Sequence, residues 1–261
     1  MNKTLILSDI HFSNRGSNVR CVEQLRPLWN GFGTVILNGD TAELHSTGLK
    51  EQSRIAVEEI KQCTKEDGVE LSLICGNHDP TISELQHLWF HDNQTLVFHG
   101  HAPIKGLAPW SWRYKHIVKS INDYIEESGD GFHEQLAAAR EASIAAATGD
   151  FNQCRPNLFH MLMLSAPASF QVLRCWWKYP TDIATWVSRY APSAKFVITG
   201  HTHHAGVWQQ GDITILNTGC YGFPSRPRAV VLDGGSIALH KVRMRNNRYY
   251  LGGVCESWNA L

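Results

Sequence analysis

Five short apolar runs each end abruptly in a string of metal-ligating side chains, and few folds can accommodate that pattern. Residues 5–7, 35–37, 71–74, 96–98 and 196–198 have strand length and are bounded by turn residues. They lead into Asp9-Ile10-His11, Gly39-Asp40, Gly76-Asn77-His78-Asp79, His99-Gly100-His101 and Gly200-His201-Thr202-His203. Segments with helical spacing lie between them. Val22, Leu25, Leu28 and Trp29 make one apolar stripe, and Ile55, Val57 and Ile60 another beside Glu58 and Lys61. Strand alternating with helix predicts βαβ units and buried, near-parallel strands. A further strand is expected at 213–216, and 228–232 with 237–244 reads as a β-hairpin around Asp233-Gly234-Gly235. The core is therefore an α/β layered domain with an antiparallel portion near its C-terminus. In open α/β sheets, ligands bind at the carboxyl ends of strands, where all five strings fall.

Charge and cysteine usage narrow the function. Lys and Arg number 24 against 24 Asp and Glu, a formal net charge of zero. A protein whose main task is to grip nucleic-acid phosphates needs a basic surface, so no specific nucleic-acid partner is expected. The cysteines at 21, 63, 75, 154, 175, 220 and 255 are scattered, odd in number and form no C-x-x-C pair. That usage fits a reducing, cytoplasmic compartment better than a disulfide framework. The opening residues carry no signal-peptide h-region and read as a first strand.

The rhythm breaks over residues 105–190, which reads as a helical insert or lid within one domain spanning 1–261. Residues 132–148 are Ala-rich with Glu and Gln and favour helix. Residues 156–173 carry no charge, but Pro167 and several polar residues make a membrane span unexpected. Two short amphipathic helices meeting at Pro167 are the expectation, with peripheral membrane contact left open. Trp110, Trp112, Trp176, Trp177 and Trp186 fall in this third of the chain.

The residue types at the strand ends suit metal chemistry. Asp9, His11, Asp40, Asn77, His99, His201 and His203 can converge on one sheet edge. Two divalent ions there would clamp the attacking and leaving oxygens of a phosphoryl displacement, with a water between them sharpened into the nucleophile. Carboxylate with imidazole suits Mn, Fe or Zn better than Ca, and Mn is the expected ion. Asn77 is expected to stabilise charge on phosphoryl oxygens and His78 to serve the leaving group.

In these ordered motifs the chain resembles the calcineurin-like metallophosphoesterases, whose pattern is D-x-H, G-D-x-x-D, G-N-H-D/E, H and G-H-x-H. The resemblance implies a four-layer sandwich, two mixed β-sheets flanked by helices. It implies Asp9, His11, Asp40 and His203 around a first metal, and Asp40, Asn77, His99 and His201 around a second, with Asp40 bridging. The chain departs at the second motif, where Glu43 stands in place of the last Asp. By the resemblance that carboxylate would orient His78 with a longer arm; otherwise Glu43 is a solvated residue at a helix start. His101 is placed either against substrate or behind the ligands. Asn217-Thr218-Gly219 is similar to a family turn that braces the site.

The expected activity is hydrolysis of a phosphodiester, phosphomonoester or pyrophosphate bond in a small-molecule or lipid-linked substrate. The helical insert and G-D-x-x-E also resemble the UDP-2,3-diacylglucosamine pyrophosphohydrolases. Those enzymes have Arg where this chain has His78 and Asp where it has His101, so a lipid pyrophosphate is the alternative substrate. A scaffold that kept the fold and lost catalysis is the other alternative. Lys241, Arg243 and Arg245 share one strand face and read as a solvated surface or an anion attractor.

Overall fold

The computed structural model describes residues 3–108, 118–148, 158–222 and 225–260, so Trp110, Trp112 and Pro156 lie outside the described residues. The chain divides into two compact units, Met1–His99 with Ser193–Leu261, and Gly100–Pro192.

The first unit holds every strand. In chain order these are β1 (Thr4–Leu7), β2 (Thr34–Asn38), β3 (Glu70–Ile74), β4 (His87–Phe90), β5 (Thr95–Phe98), β6 (Phe196–Thr199), β7 (Gly206–Gln210), β8 (Ile213–Asn217), β9 (Arg228–Asp233), β10 (Ser236–Arg245) and β11 (Arg248–Asn259). They form two mixed sheets, ordered β11-β10-β9-β1-β2-β3 and β4-β5-β6-β8-β7. The strands β1, β2 and β3 run parallel, as do β5, β6 and β8. Helices α1 (Arg26–Trp29) and α2 (Lys50–Glu66) connect the first three strands. The run Leu5-Ile6-Leu7 is fully buried because both faces of β1 are covered, which is why it reads as continuous rather than alternating. Ile6, Ile36 and Ile74 turn inward to meet Val97, Ile198 and Leu216 of the second sheet. Leu5, Leu7, Val35 and Leu37 turn the other way, onto Leu25, Trp29, Val57 and Ile60. The architecture is thus two mixed sheets flanked by helices, as the family resemblance implies.

Three local features differ from expectation. The stripe from Val22 to Trp29 is buried as predicted, but as a 3₁₀ turn at Val22–Gln24 followed by the short α1. Pro27 lacks an N–H and fits only a first helical turn, so the helix restarts at Arg26. The strands β4, β7 and β11 are additions; the predicted hairpin of β9 and β10 is the inner pair of a three-stranded antiparallel ribbon.

The second unit contains α3 (Val118–Glu127), α4 (Phe132–Thr148) and α5 (Leu158–Tyr190). The helix α4 spans the predicted residues and buries Ala138, Ala139, Ala142 and Ala146. The expected break at Pro167 is overturned: α5 is one helix of 33 residues. A proline costs a helix interior one hydrogen bond and about 3 kcal/mol, whereas ending the helix there would open a full set of carbonyls and amides. The C-terminal half of α5 is anchored by buried Tyr179, Ile183, Trp186 and Val187, with Trp186 against Phe132 at 5.6 Å between rings. None of the described helices is long and apolar enough to cross a membrane. Cys21, Cys63, Cys75, Cys175, Cys220 and Cys255 are free.

Candidate metal centre

The five strand ends bring Asp9, Asp40, His78, His99 and His201 together at one edge of the first unit's sheets, and the backbone leaves several of the strands through unusual conformations. Asp9, His11, Asp40, His201 and His203 all adopt positive φ, between 51° and 68°. Each costs a non-glycine residue on the order of 1–2 kcal/mol, and such strain persists only where surrounding contacts hold it. Gly200 and Gly76 make room for the turns. A Cβ on Gly200 would overlap the Asp9 carboxylate and the Ser8 hydroxyl, and one on Gly76 would overlap Asp40.

Among the described residues candidate donors gather in three groups, one of them His11, Glu43 and His78, and the other two made of the predicted ligands. Ligand atoms of Asp9, His11, Asp40 and His203 lie within 4.8 Å of one another, and so do those of Asp40, His99 and His201. Asp40 belongs to both. His11 Nε2 is 2.9 Å from His203 Nε2, 3.8 Å from Asp40 Oδ2 and 3.9 Å from Asp9 Oδ1. His203 Nε2 is 3.3 Å from Asp9 Oδ1, and His99 Nε2 is 3.3 Å from Asp40 Oδ2. Donors bound to one ion at about 2.1 Å stand about 3.0 Å apart at right angles and about 3.4 Å at the tetrahedral angle. The spacings of 2.9, 3.3 and 3.3 Å sit close to that range and those of 3.8 and 3.9 Å need wider angles at the ion, so the nitrogen and oxygen donors here could hold a dinuclear metal centre.

The imidazoles are set by what holds their other nitrogen. His99 Nδ1 bonds the Asn38 carbonyl at 2.9 Å, leaving Nε2 toward Asp40. Asp40 Oδ1 accepts the His78 amide at 2.8 Å, which turns Oδ2 to the histidines. Asp9 accepts the His201 amide at 2.9 Å and the Ser8 hydroxyl, which also meets Thr218 Oγ1. Burial opposes a charge on Asp40, but His99, His78 and His11 outweigh it and hold the carboxyl well below its usual range.

Comparison with known proteins places the chain in a family. The model of the calcineurin-like phosphoesterase superfamily domain matches residues 3–236. The chain belongs to that superfamily. No curated protein matches it. Among solved structures, YfcE, a phosphoesterase from E. coli, is 14% identical and covers 99% of this chain and 100% of its own, with a TM-score of 0.45. A dimetal phosphatase from Danio rerio is 10% identical over 91% of this chain and 95% of its own, at TM-score 0.46. Vacuolar Protein Sorting 29 from Cryptosporidium parvum is 12% identical over 99% and 98%, also at 0.46.

In this calcineurin-like chain Glu43 is buried and does two jobs. Its Oε2 takes His78 Nδ1 at 2.9 Å, as one reading of the sequence expected, and its Oε1 takes His11 Nδ1 at 2.9 Å and Asn14 Nδ2 at 2.8 Å. Burial disfavours its charge, yet His78 and His11 prevail and hold the carboxyl far below normal. Burial also works against a proton on His78, and Asp40 with Glu43 outweighs it, pushing the imidazole up to about 9. Glu43→Gln leaves only one acceptor oxygen for two imidazoles. Metal affinity should fall about 10- to 100-fold with little loss of folded protein; titration calorimetry with Mn²⁺ reads this, and unchanged affinity would contradict the bracing role.

Asn77 is buried in the third loop. His101 is buried in the second unit, where its carbonyl accepts the Ile104 amide. Two supports escaped the sequence reading. Asp79 carries no exposed surface and accepts the amides of Gly76, Asp40, Thr41 and Ala42, stitching the second and third loops together. The Asp in Gly76-Asn77-His78-Asp79 was the available signal. His45 packs edge-on against His78 at 4.4 Å and holds its carbonyl; nothing in the sequence marked it. Asn217, as the family turn implied, braces the fifth loop through the Gly200 carbonyl and Thr202.

Proposed function

We propose that this chain is a phosphoester hydrolase working with two divalent ions, one held by Asp9, His11, Asp40 and His203, the other by Asp40, Asn77, His99 and His201. The observation that carries this reading is the position of Asp40 Oδ2, 3.8 Å from His11 Nε2 and 3.3 Å from His99 Nε2, in both groups of predicted ligands at once. Mn, Fe or Zn suits such nitrogen and oxygen donors. Bound there, the ions supply positive charge to phosphoryl oxygens and lower the pKa of water.

The chain's own groups do the rest. Glu43 occupies Nδ1 of His78, so Nε2 is the nitrogen left to donate a proton to a departing oxygen. The Asn77 amide offers a donor to a non-bridging phosphoryl oxygen as charge develops. Glu43 fixes the tautomers of His11 and His78 together, coupling the metal side of the site to its proton donor. Free thiols at six described positions fit work in a reducing, cytoplasmic setting.

The test is hydrolysis of mono-, di- and pyrophosphate esters, lipid-linked sugar nucleotides included, by protein supplied with Mn²⁺ and by the same protein after chelation. Turnover that vanishes with chelator and returns with metal supports the reading. Two bound ions without turnover of any ester would leave a scaffold and end it. His78→Ala should slow esters with poor leaving groups by about 10²- to 10⁴-fold while sparing p-nitrophenyl esters, whose leaving group departs unprotonated. Equal losses on both would remove His78 as the proton donor.

A further inference from the structure

The ribbon formed by β10 and β11 concentrates positive charge that the neutral composition conceals. Residues two apart share a strand face, so Lys241, Arg243 and Arg245 point to one side of β10. The register puts Arg228 opposite Lys241, Tyr250 opposite Arg243 and Arg248 opposite Arg245, all on that same side. Like charges facing each other across a ladder are destabilising, and here Arg228 faces Lys241 across one ladder and Arg248 faces Arg245 across the other. Among the described residues no carboxylate lies within ion-pair distance of any of these five cations, four of which are exposed. Glu23 and Asp67 line a groove with Arg248 and Tyr250, but Arg26 engages both.

The base of this face lies near the C-terminal end of β1, while Arg248 and Tyr250 at its tip line a groove with Gly31, Phe32 and Val69, just before β2 and β3. Ile6 lies opposite Val230, so Arg228, two residues earlier on β9, stands beside Ser8 at the end of β1. Opposite Arg228 is Lys241, after which β10 continues past the point where β1 gives way to Asp9. Strand spacing and rise put Lys241 about 10 Å across from Ser8, and Arg245 about 14 Å further along. The tip is a tight turn through Asn246 and Asn247, both at positive φ, and Asn247 is tied to Gln24 at 2.7 Å. The cations are therefore mounted on a stiff arm and repeat about every 7 Å.

We propose that this face binds the phosphate backbone of single-stranded nucleic acid, with Tyr250, 40% exposed, as a stacking platform for a base. A ladder of cations with one aromatic between them matches a flexible chain of phosphates and bases. A lipid surface would call for apolar anchors on the same face, and Tyr250 is the one aromatic or aliphatic side chain among these six.

The test is fluorescence anisotropy of a labelled oligodeoxythymidine against the intact protein across a salt series, beside hydrolysis of bis-p-nitrophenyl phosphate. The wild type should bind with a clear salt dependence. The triple variant R243A/R245A/R248A should bind at least about tenfold more weakly, its log–log salt slope shallower by about 2, with metal content and small-ester hydrolysis unchanged. Tyr250→Ala should weaken binding while leaving the salt slope alone. Failure of the wild type to bind, equal binding by the triple variant, or capture by phosphatidylserine vesicles without oligonucleotide binding would each overturn the proposal. Oligonucleotide binding lost in the triple variant, with no ester turnover in any protein, would uphold the arm and sink only the hydrolase reading.

Discussion

Asp40→Asn should cost the protein its second metal ion and on the order of 10³-fold or more in hydrolysis rate. Asp40 is the one residue in both predicted-ligand groups and the sole carboxylate of the group with His99 and His201 among the described residues. The substitution keeps the side chain's size. The amide can still face the His78 N–H with its oxygen, but it then presents a nitrogen where Oδ2 now faces His99 and His11. It also removes the negative charge that would hold two cations close together. Metal per chain by mass spectrometry and turnover of bis-p-nitrophenyl phosphate should fall together. If both ions remain and the rate is unchanged, the dinuclear account is finished.

The second large effect concerns folding. Asp79→Ala should destabilise the protein by about 3–5 kcal/mol, because it strands four amide donors in a site closed to water. Burial and the neighbouring Asp40 push the Asp79 carboxyl up to about 7, and the backbone donors oppose that shift. Urea unfolding should be followed in the presence of chelator, so that stability linked to metal binding is excluded. Asp79→Asn should recover only part of the loss, since its NH₂ would point at backbone N–H groups. A midpoint unmoved by either change would show that the loops hold themselves.

While the edge strand β3 was read from its apolar residues 71–74 alone, strand ends and ligands were legible in the sequence chiefly because most strands that carry the site, β1, β2, β5 and β6, are almost wholly buried. Such strands appear as short unbroken apolar runs, and any polar residue after them is conspicuous, as Asp9, Asp40 and His99 are. The edge strands β4, β7 and β11 lack that signature. In β11 the pair Gly252-Gly253 and the half-exposed alternation of Tyr249, Leu251 and Cys255 blur the pattern, and a bulge shifts its register against β10. Likewise β4 and β7 are only partly buried and sit at sheet margins. Pro167 misled because proline's penalty is local, while a helix is held by the packing of its whole length. The double role of Glu43 was hidden for another reason. Nothing in a G-D-x-x-E spacing reveals that a longer carboxylate reaches His11 as well as His78, since that depends on where β1 and β2 end relative to each other.

The left-handed backbone at Asp9, His11, Asp40, His201 and His203 also bears on how such a chain changes over time. Glycine at any of these points would relax the main chain, so drift toward greater thermal robustness runs directly against keeping the donors. The five donors therefore carry main-chain strain at this edge, and ions that bind only the folded chain would offset it.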